Sequence, residues 1–240
     1  MPAYSAGPIP FHDGEKLIYQ ASWIGIPAAR ARFELHRDKR DPSRWKAEAW
    51  IETTPLVDVL FKMRDYMNES FAAGSLATGG VYQRQSENRR FDEYSISFDR
   101  PKNLVTAEKK NPRAVTTRQF ISADPWGPIS GAMMALTQSL APGATYEYDV
   151  FSGTTRYVFS FHVDDRELIR TPLGVFPTLK ITPSVVFLSN GNYKHQATTT
   201  TIWVSADHRR LPLRLQATAF IGQITADLVE VDGSTAVAAQ

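Results

Sequence analysis

The chain has 240 residues, of which 42% are hydrophobic and 22% are charged, a globular composition that can bury a core. Its 27 basic and 25 acidic residues give a net charge of +2, which does not provide the concentrated basic surface that nucleic-acid binding needs. The sequence contains no cysteine, which excludes disulfides, thiolate metal sites and a cysteine nucleophile.

Neither a membrane-spanning segment nor an export signal is visible. No stretch approaches the roughly 18 consecutive apolar residues that a membrane helix needs. The first ten residues, MPAYSAGPIP, lack the basic and apolar regions of a signal peptide. We expect residues 1–13 to be an extended lead-in, 14–232 a single β-rich domain and 233–240 a flexible tail.

The first strands follow from alternation. Leu17, Tyr19, Ala21 and Trp23 share one face of a strand, Gly25-Ile26-Pro27 predicts a turn, and residues 29–36 alternate again. This pattern is typical of a β-hairpin with one solvated face. Further strands are predicted at 45–53, 66–73, 80–87, 93–99, 104–109 and 115–120, and a short helix or helical turn at about 55–63.

One amphipathic helix interrupts the strands at about 128–140. Ile129, Met133, Leu136 and Leu140 form its apolar stripe, and Pro142-Gly143 ends it. Ser122 or Asp124 is expected to cap its first turn. Strands then resume at 145–151, 156–163, 168–170, 176–181, 194–204, 211–220 and 222–230, with a polar turn at 164–167.

These elements predict a mainly β fold. Many short strands separated by turn residues indicate a curved antiparallel sheet, in the form of an open barrel or a β-roll, with one amphipathic helix and one short helical turn.

No motif for catalysis, metal or cofactor stands out. The five histidines lack the His-x-His spacing of a strand zinc site, and His162 with Asp164 provides only half of one. Ser130 lies one position too late for the G-x-S-x-G elbow of a serine hydrolase. No phosphate loop or dinucleotide fingerprint is present. We therefore expect no catalytic residues, no metal, no cofactor and no enzymatic activity.

A basic stretch with one tyrosine, residues 82–90, is the best candidate for single-stranded nucleic-acid binding. A solvated strand with arginines on its wet face explains the same pattern, and we expect no nucleic-acid partner.

Aromatic residues are abundant, with 5 Trp, 9 Tyr and 13 Phe. Most fit the core of a pleated sheet. A strongly curved sheet can also enclose an apolar ligand, with the helix that follows Trp126 covering the opening. The candidate ligand-binding residues are Tyr19, Trp23, Trp126, Met133, Tyr157 and Phe159, for which plain core packing is the alternative explanation.

Three separated blocks resemble the family called domain of unknown function 3108. They are the opening Gly14 to Ala28, the segment from Asp124-Pro125 to Ser130, and the closing run from Trp203 to Leu228. The resemblance implies a mostly β bacterial protein that is usually exported, and it brings no catalytic residues. On this basis we expect a periplasmic protein.

Three hypotheses for function remain. The first is a non-enzymatic cell-envelope protein that binds a lipid or another apolar or amphipathic ligand in a β cavity. The second is a scaffold or assembly protein that binds an envelope protein partner through a sheet edge. The third is a hydrolase whose polar residues come from distant strands.

Overall fold

A computed structural model describes residues 3–189, 192–195, 199–219 and 222–234. Sixteen strands and two α-helices occur in that part of the chain. In chain order they are β1 (Glu15–Trp23), β2 (Ile26–Arg37), β3 (Arg44–Thr53), α1 (Pro55–Asp58), β4 (Arg64–Ala72), β5 (Thr78–Glu87), β6 (Arg90–Asp99), β7 (Leu104–Lys110), β8 (Val115–Ile121), β9 (Pro125–Trp126), α2 (Pro128–Thr137), β10 (Thr145–Ser152), β11 (Thr155–Thr171), β12 (Gly174–Ser189), β13 (Asn192–His195), β14 (Thr199–Ser205), β15 (Pro212–Ala219) and β16 (Gly222–Val231).

All sixteen strands belong to one curved sheet, which confirms the predicted fold class. The order across it is β8-β7-β6-β5-β4-β3-β2-β1-β16-β15-β14-β12-β11-β10-β9, with β13 paired to β12. Every pairing is antiparallel except that of the short β9 with β10. Nearly every strand pairs with its neighbour in sequence, so short turns suffice to connect them.

Alternating side chains decide which face of the sheet forms the core. Along β2 and β3, Phe33, Leu35 and Ala47 point inward, whereas Arg32 and Glu48 point to solvent. The same alternation on β10 to β12 brings Tyr148, Phe161 and Ile181 into the same core, together with α2. Curvature therefore wraps the two halves of the sheet around one interior.

Both helices are shorter than predicted. The helix α1 covers only Pro55–Asp58 instead of 55–63, and none of its residues is buried. Without tertiary contacts a short helix gains too little to extend, so propensity alone does not continue it. The helix α2 ends at Thr137 rather than at residue 140, although Leu140 is still buried in the core.

The prediction of a polar turn at 164–167 is wrong. These residues lie inside β11, which runs unbroken through Thr155–Thr171 and pairs along its length with β12. The register shifts between Val163 and Arg166, so the extra polar residues form a bulge instead of ending the strand. The single strand predicted at 194–204 is divided into β13 and β14, and residues 196–198 lie outside the described residues.

Residues 3–13 contain no helix or strand, yet they contact the core. The ring of Tyr4 lies 4.9 Å from that of Tyr148, and Phe11 packs edge-on against Trp45 at 5.7 Å. The expected tail at 233–240 falls outside the described residues from position 235 onward.

The sheet does not close into a barrel, and side chains join its two ends. The ends are β8 and the β9–β10 pair. Arg156 on β11 donates two hydrogen bonds to the buried carboxylate of Asp149 on β10, at 2.7 and 2.9 Å. The hydroxyl of Ser122, just after β8, donates to the same carboxylate. We call Ser122, Asp149 and Arg156 the seam.

We expect Arg156→Ala to lower the free energy of unfolding by about 3 kcal/mol, because it leaves the buried carboxylate of Asp149 without its guanidinium partner. Glu52→Ala, which removes an exposed carboxylate 3.9 Å from Arg64, should change it by less than about 0.5 kcal/mol. Urea unfolding of both variants measures the difference. Equal losses would contradict a structural role for the seam.

Candidate functional site

The helix α2 is held at its N-terminus by a glutamate from a distant strand. Glu69 on β4 is fully buried, and its carboxylate accepts backbone N–H groups from Ile129 at 2.8 Å and Ser130 at 2.9 Å. A Cβ at position 127 would lie 2.3 Å from Glu69 Oε1, so only glycine allows this approach. An anionic group at this end also complements the helix dipole.

Two hydroxyls complete this buried cap. Thr78 Oγ1 accepts the N–H of Gly127 at 2.8 Å and lies 2.6 Å from Ser130 Oγ. Ser130 therefore serves a helix terminus and is shut away from solvent, which leaves no room for a substrate at its hydroxyl.

The C-terminus of α2 is held by a cation. Arg210, in the connection between β14 and β15, donates from Nη1 to the carbonyl oxygens of Leu136 and Gln138, the latter at 2.6 Å. The helix thus carries a carboxylate at one end and a guanidinium at the other, both favourable for its dipole.

The predicted cap at Ser122 or Asp124 is wrong. The Ser122 hydroxyl donates to Asp149 within the seam, and Asp124 accepts a hydrogen bond from the indole N–H of Trp126 at 3.1 Å. The N-cap residue is Gly127, which has no side chain to donate or accept. Glu69 takes this place because the sheet brings β4 beneath the start of the helix.

An apolar recess lies between α2 and the sheet. Its volume is about 170 Å³, and all eleven residues that line it are apolar. They are Ala132, Ala135, Leu136, Leu140, Phe159, Phe161, Ile181, Ile202, Val204, Pro212 and Leu215. The helix and strands β11, β12, β14 and β15 thus supply its walls. We call this group the recess.

Of the predicted ligand-binding residues, Phe159 lines the recess directly. Tyr19 adjoins it, since its hydroxyl donates to the carbonyl of Pro212 at 2.9 Å. Tyr157 lies on the same strand as Phe159, half-buried, and its ring contacts that of Phe187 at 6.4 Å.

The other three predicted residues lie elsewhere. Trp126 and Met133 are buried in the main core, where Trp126 packs edge-on against Tyr148. Trp23 ends β1 opposite Ile224, beside the turn to β2. Apart from Phe161, the recess residues missing from that prediction are small or aliphatic. The helix stripe with Leu136 and Leu140, and the alternation along β14 and β15, hinted that some of them face inward.

A larger concavity of about 450 Å³ lies on the outer face of the sheet. Lys16, Arg30 and Arg32 share it with Glu52 and Glu230, and the Arg32 guanidinium lies 3.9 Å from the centre of the Trp50 ring. Opposite charges alternate across the strands here, for example Arg30 opposite Glu52. This pattern is that of a solvated sheet face, so the recess is the better candidate despite its smaller volume.

His162 and Asp164, the candidate half of a metal site, do not contact each other. His162 Nδ1 lies 2.9 Å from Thr145 Oγ1, while Asp164 accepts a hydrogen bond from the Thr182 hydroxyl. Each of the two residues is therefore hydrogen-bonded to a different partner. The side chain of His195 lies outside the described part of the chain. Where side chains are described, no group of three or more His, Asp or Glu residues is placed to hold a metal ion.

One histidine, His12, does lie between carboxylates. Its Nε2 is 3.4 Å from Asp232 and its Nδ1 is 3.8 Å from Glu15, and Arg209 lies within 3.4 Å of both acids. This network ties the lead-in to the end of β16, which gives these charges a structural role.

The chain belongs to a family of proteins of unknown function. The family model described as protein of unknown function, DUF3108, matches residues 18–229. That match confirms the resemblance drawn from the three sequence blocks. The chain matches no curated protein. No helix in the described ranges is long and apolar enough to cross a membrane.

Three solved structures are similar to this chain, and the first of them shares its fold. A β-barrel-like protein of domain of unknown function DUF1849 from Brucella abortus has a TM-score of 0.61 at 7% identity, covering 92% of this chain and 97% of that one. A candidate lipoprotein from Parabacteroides distasonis has a TM-score of 0.39 at 14% identity, covering 95% and 100%. A candidate exported protein with a YmcC-like fold from Bacteroides fragilis has a TM-score of 0.37 at 12% identity, covering 94% and 99%. Only the first likeness is strong enough to argue from, and it concerns the fold alone.

The buried cap generates a pH prediction. Burial raises the pKa of Glu69 to about 7, against the lowering effect of its hydrogen bonds, while the unfolded carboxyl titrates near 4.5. Between these values the unfolded chain loses its proton first, so stability falls as the pH rises, by up to about 3 kcal/mol for this group. Glu69→Gln should remove this pH dependence.

Urea unfolding at about pH 5 and about pH 8 tests this expectation. Thr78→Ala removes a neutral member of the same cap and should lower stability equally at both pH values. A Glu69→Gln protein with the same pH dependence as the parent would mean that Glu69 keeps one protonation state throughout.

Proposed function

We propose that this protein is a non-enzymatic component of the bacterial cell envelope that binds an apolar or amphipathic ligand in the recess. The observation that carries the proposal is the composition of the recess: eleven residues from one helix, the segment after it and four strands converge there, and none is polar. Concave apolar sites of this kind are the usual place for small ligands on a rigid fold.

The volume limits what the ligand can be. Apolar cavities of about 150 Å³ stay dry and take up molecules the size of benzene. A recess of about 170 Å³ therefore suits a single ring or the end of an acyl chain, and the rest of an amphipathic molecule would extend into solvent. A whole lipid would exceed it.

Chemistry at the recess favours binding over catalysis. Its walls offer no nucleophile, acid or base, and hydrolysis would need at least one of these beside the substrate. A periplasmic location is part of the proposal, and it rests on the family resemblance, whose members are usually exported.

A second candidate function, partner binding through a sheet edge, is favoured by β8. This strand ends the sheet, and six of its seven residues are exposed, including Val115 and Ile121. An unpaired edge can accept an extended segment from another protein. Arg118 near its centre opposes pairing of β8 with a basic strand.

The first experiment is to purify the protein natively from bacteria, extract it with organic solvent and analyse the extract by mass spectrometry. A stoichiometric apolar molecule would support the carrier proposal and name its ligand. An empty extract, together with a protein that co-purifies until β8 is altered by Gln119→Pro, would favour the edge instead.

Filling the recess tests its role directly. Ala132 is exposed on α2 and lines the recess, so Ala132→Trp can occupy it with little strain. We expect this variant to bind a fluorescent fatty acid at least about tenfold more weakly than the parent. Ala114→Trp, in the exposed turn between β7 and β8, adds the same side chain elsewhere and should bind like the parent. Equal affinities for the two variants would refute the recess as the site.

A further inference from the structure

An exposed apolar surface lies at one end of the sheet. It consists of Ile24, Ile26, Leu56, Val59, Leu60 and Phe61, which we call the apolar tip. The exposed fractions of its side chains reach 82% for Val59, 79% for Leu60 and 67% for Ile24. Single exposed apolar residues are ordinary, but a cluster of six large ones marks a surface that meets another apolar phase.

Hydrogen bonds place this cluster together and fix its shape. Thr54 donates from its backbone N–H to the carbonyl of Ala28 at 2.9 Å, which joins the α1 segment to the turn between β1 and β2. At the other side, Lys62 and Asn88 bond to each other through backbone and side chain at 2.8 Å. The segment 55–62 is thus held between two hairpin turns and protrudes from the end of the sheet.

Exposed cations flank the apolar tip. Asp58, the acidic residue of the 55–62 segment, is paired with Arg64 at 2.5 Å and accepts a hydrogen bond from the Thr53 hydroxyl. Lys62 and Arg89 flank the segment with exposed side chains, and neither has an ion pair within the described ranges. The connection between β7 and β8 lies at the same end of the sheet. Together with the last residue of β7 it contributes Lys110 and Arg113, and it contains no acidic residue.

We infer that the apolar tip inserts into the surface of an anionic lipid membrane, a role separate from the recess. A protruding apolar segment enters the acyl boundary, while flanking cations stay among the lipid headgroups. A protein partner would instead have to offer a groove of complementary shape. The tip therefore holds the molecule on a membrane by shallow insertion.

Flotation with lipid vesicles tests this inference on the full chain. We expect the parent protein to float with vesicles of phosphatidylethanolamine and phosphatidylglycerol, and less with vesicles of phosphatidylcholine alone. Leu60→Ser should weaken the partitioning by about tenfold. Leu168→Ser removes a leucine that is 72% exposed on β11, away from the tip, and should float like the parent.

A charge series separates the two contributions. Lys62→Glu with Arg89→Glu should weaken binding to the anionic vesicles only, whereas Lys39→Glu, in the turn at the opposite end of the sheet, should leave it unchanged.

Absence of flotation for the parent, or equal losses for Leu60→Ser and Leu168→Ser, would overturn the inference. So would a dimer in light scattering that Leu60→Ser dissociates, since the tip would then be an interface between copies. Ala132→Trp should float normally, which keeps this test independent of the recess.

Discussion

The charged clamp on α2 is the interaction on which the rest of the structure depends. Glu69 holds the N-terminus of the helix from β4, and Arg210 holds its C-terminus from the connection between β14 and β15. These two anchors lie on opposite halves of the curved sheet, so the helix bridges the halves that the seam joins at their ends. A ten-residue helix has little stability of its own, and the clamp together with core contacts supplies what propensity lacks.

The interior of the sheet is filled rather than hollow. Tyr148 and Phe161 lie with parallel rings at 6.1 Å, Trp126 closes against Tyr148, and α2 adds Met133 and Met134. What remains open is the recess, where the small side chains of Ala132 and Ala135 leave the sheet uncovered. Because Glu69 and Arg210 fix both ends of α2, the helix cannot move closer to the sheet to fill this space. The recess is therefore a consequence of where these two residues place the helix.

The likeness to the β-barrel-like structure from Brucella abortus shows how little sequence the fold requires. The two chains share 7% of their residues, yet their structures superpose with a TM-score of 0.61. Function on such a fold comes from particular sites and cannot be transferred with the architecture. In the described part of the chain, the recess and the apolar tip both depart from a solvated sheet. The recess has walls from α2 and four strands, whereas the apolar tip lies in the connections at one end of the sheet.

The sequence by itself determined the fold class, most of the strands and the helix that begins near residue 128, because alternation and turn residues are local signals. It also determined the family.

Tertiary structure decided how α2 is capped, since the partner of Ile129 and Ser130 is Glu69, some 60 residues earlier, and no local pattern links them. It decided that the polar residues 164–167 continue a strand, because pairing with β12 outweighs their turn propensity. It likewise decided which residues line the recess, since Phe159 is the one predicted ligand-binding residue among them. A binding surface is made of residues that the chain brings together from distant strands, and that convergence depends on the curvature of the whole sheet.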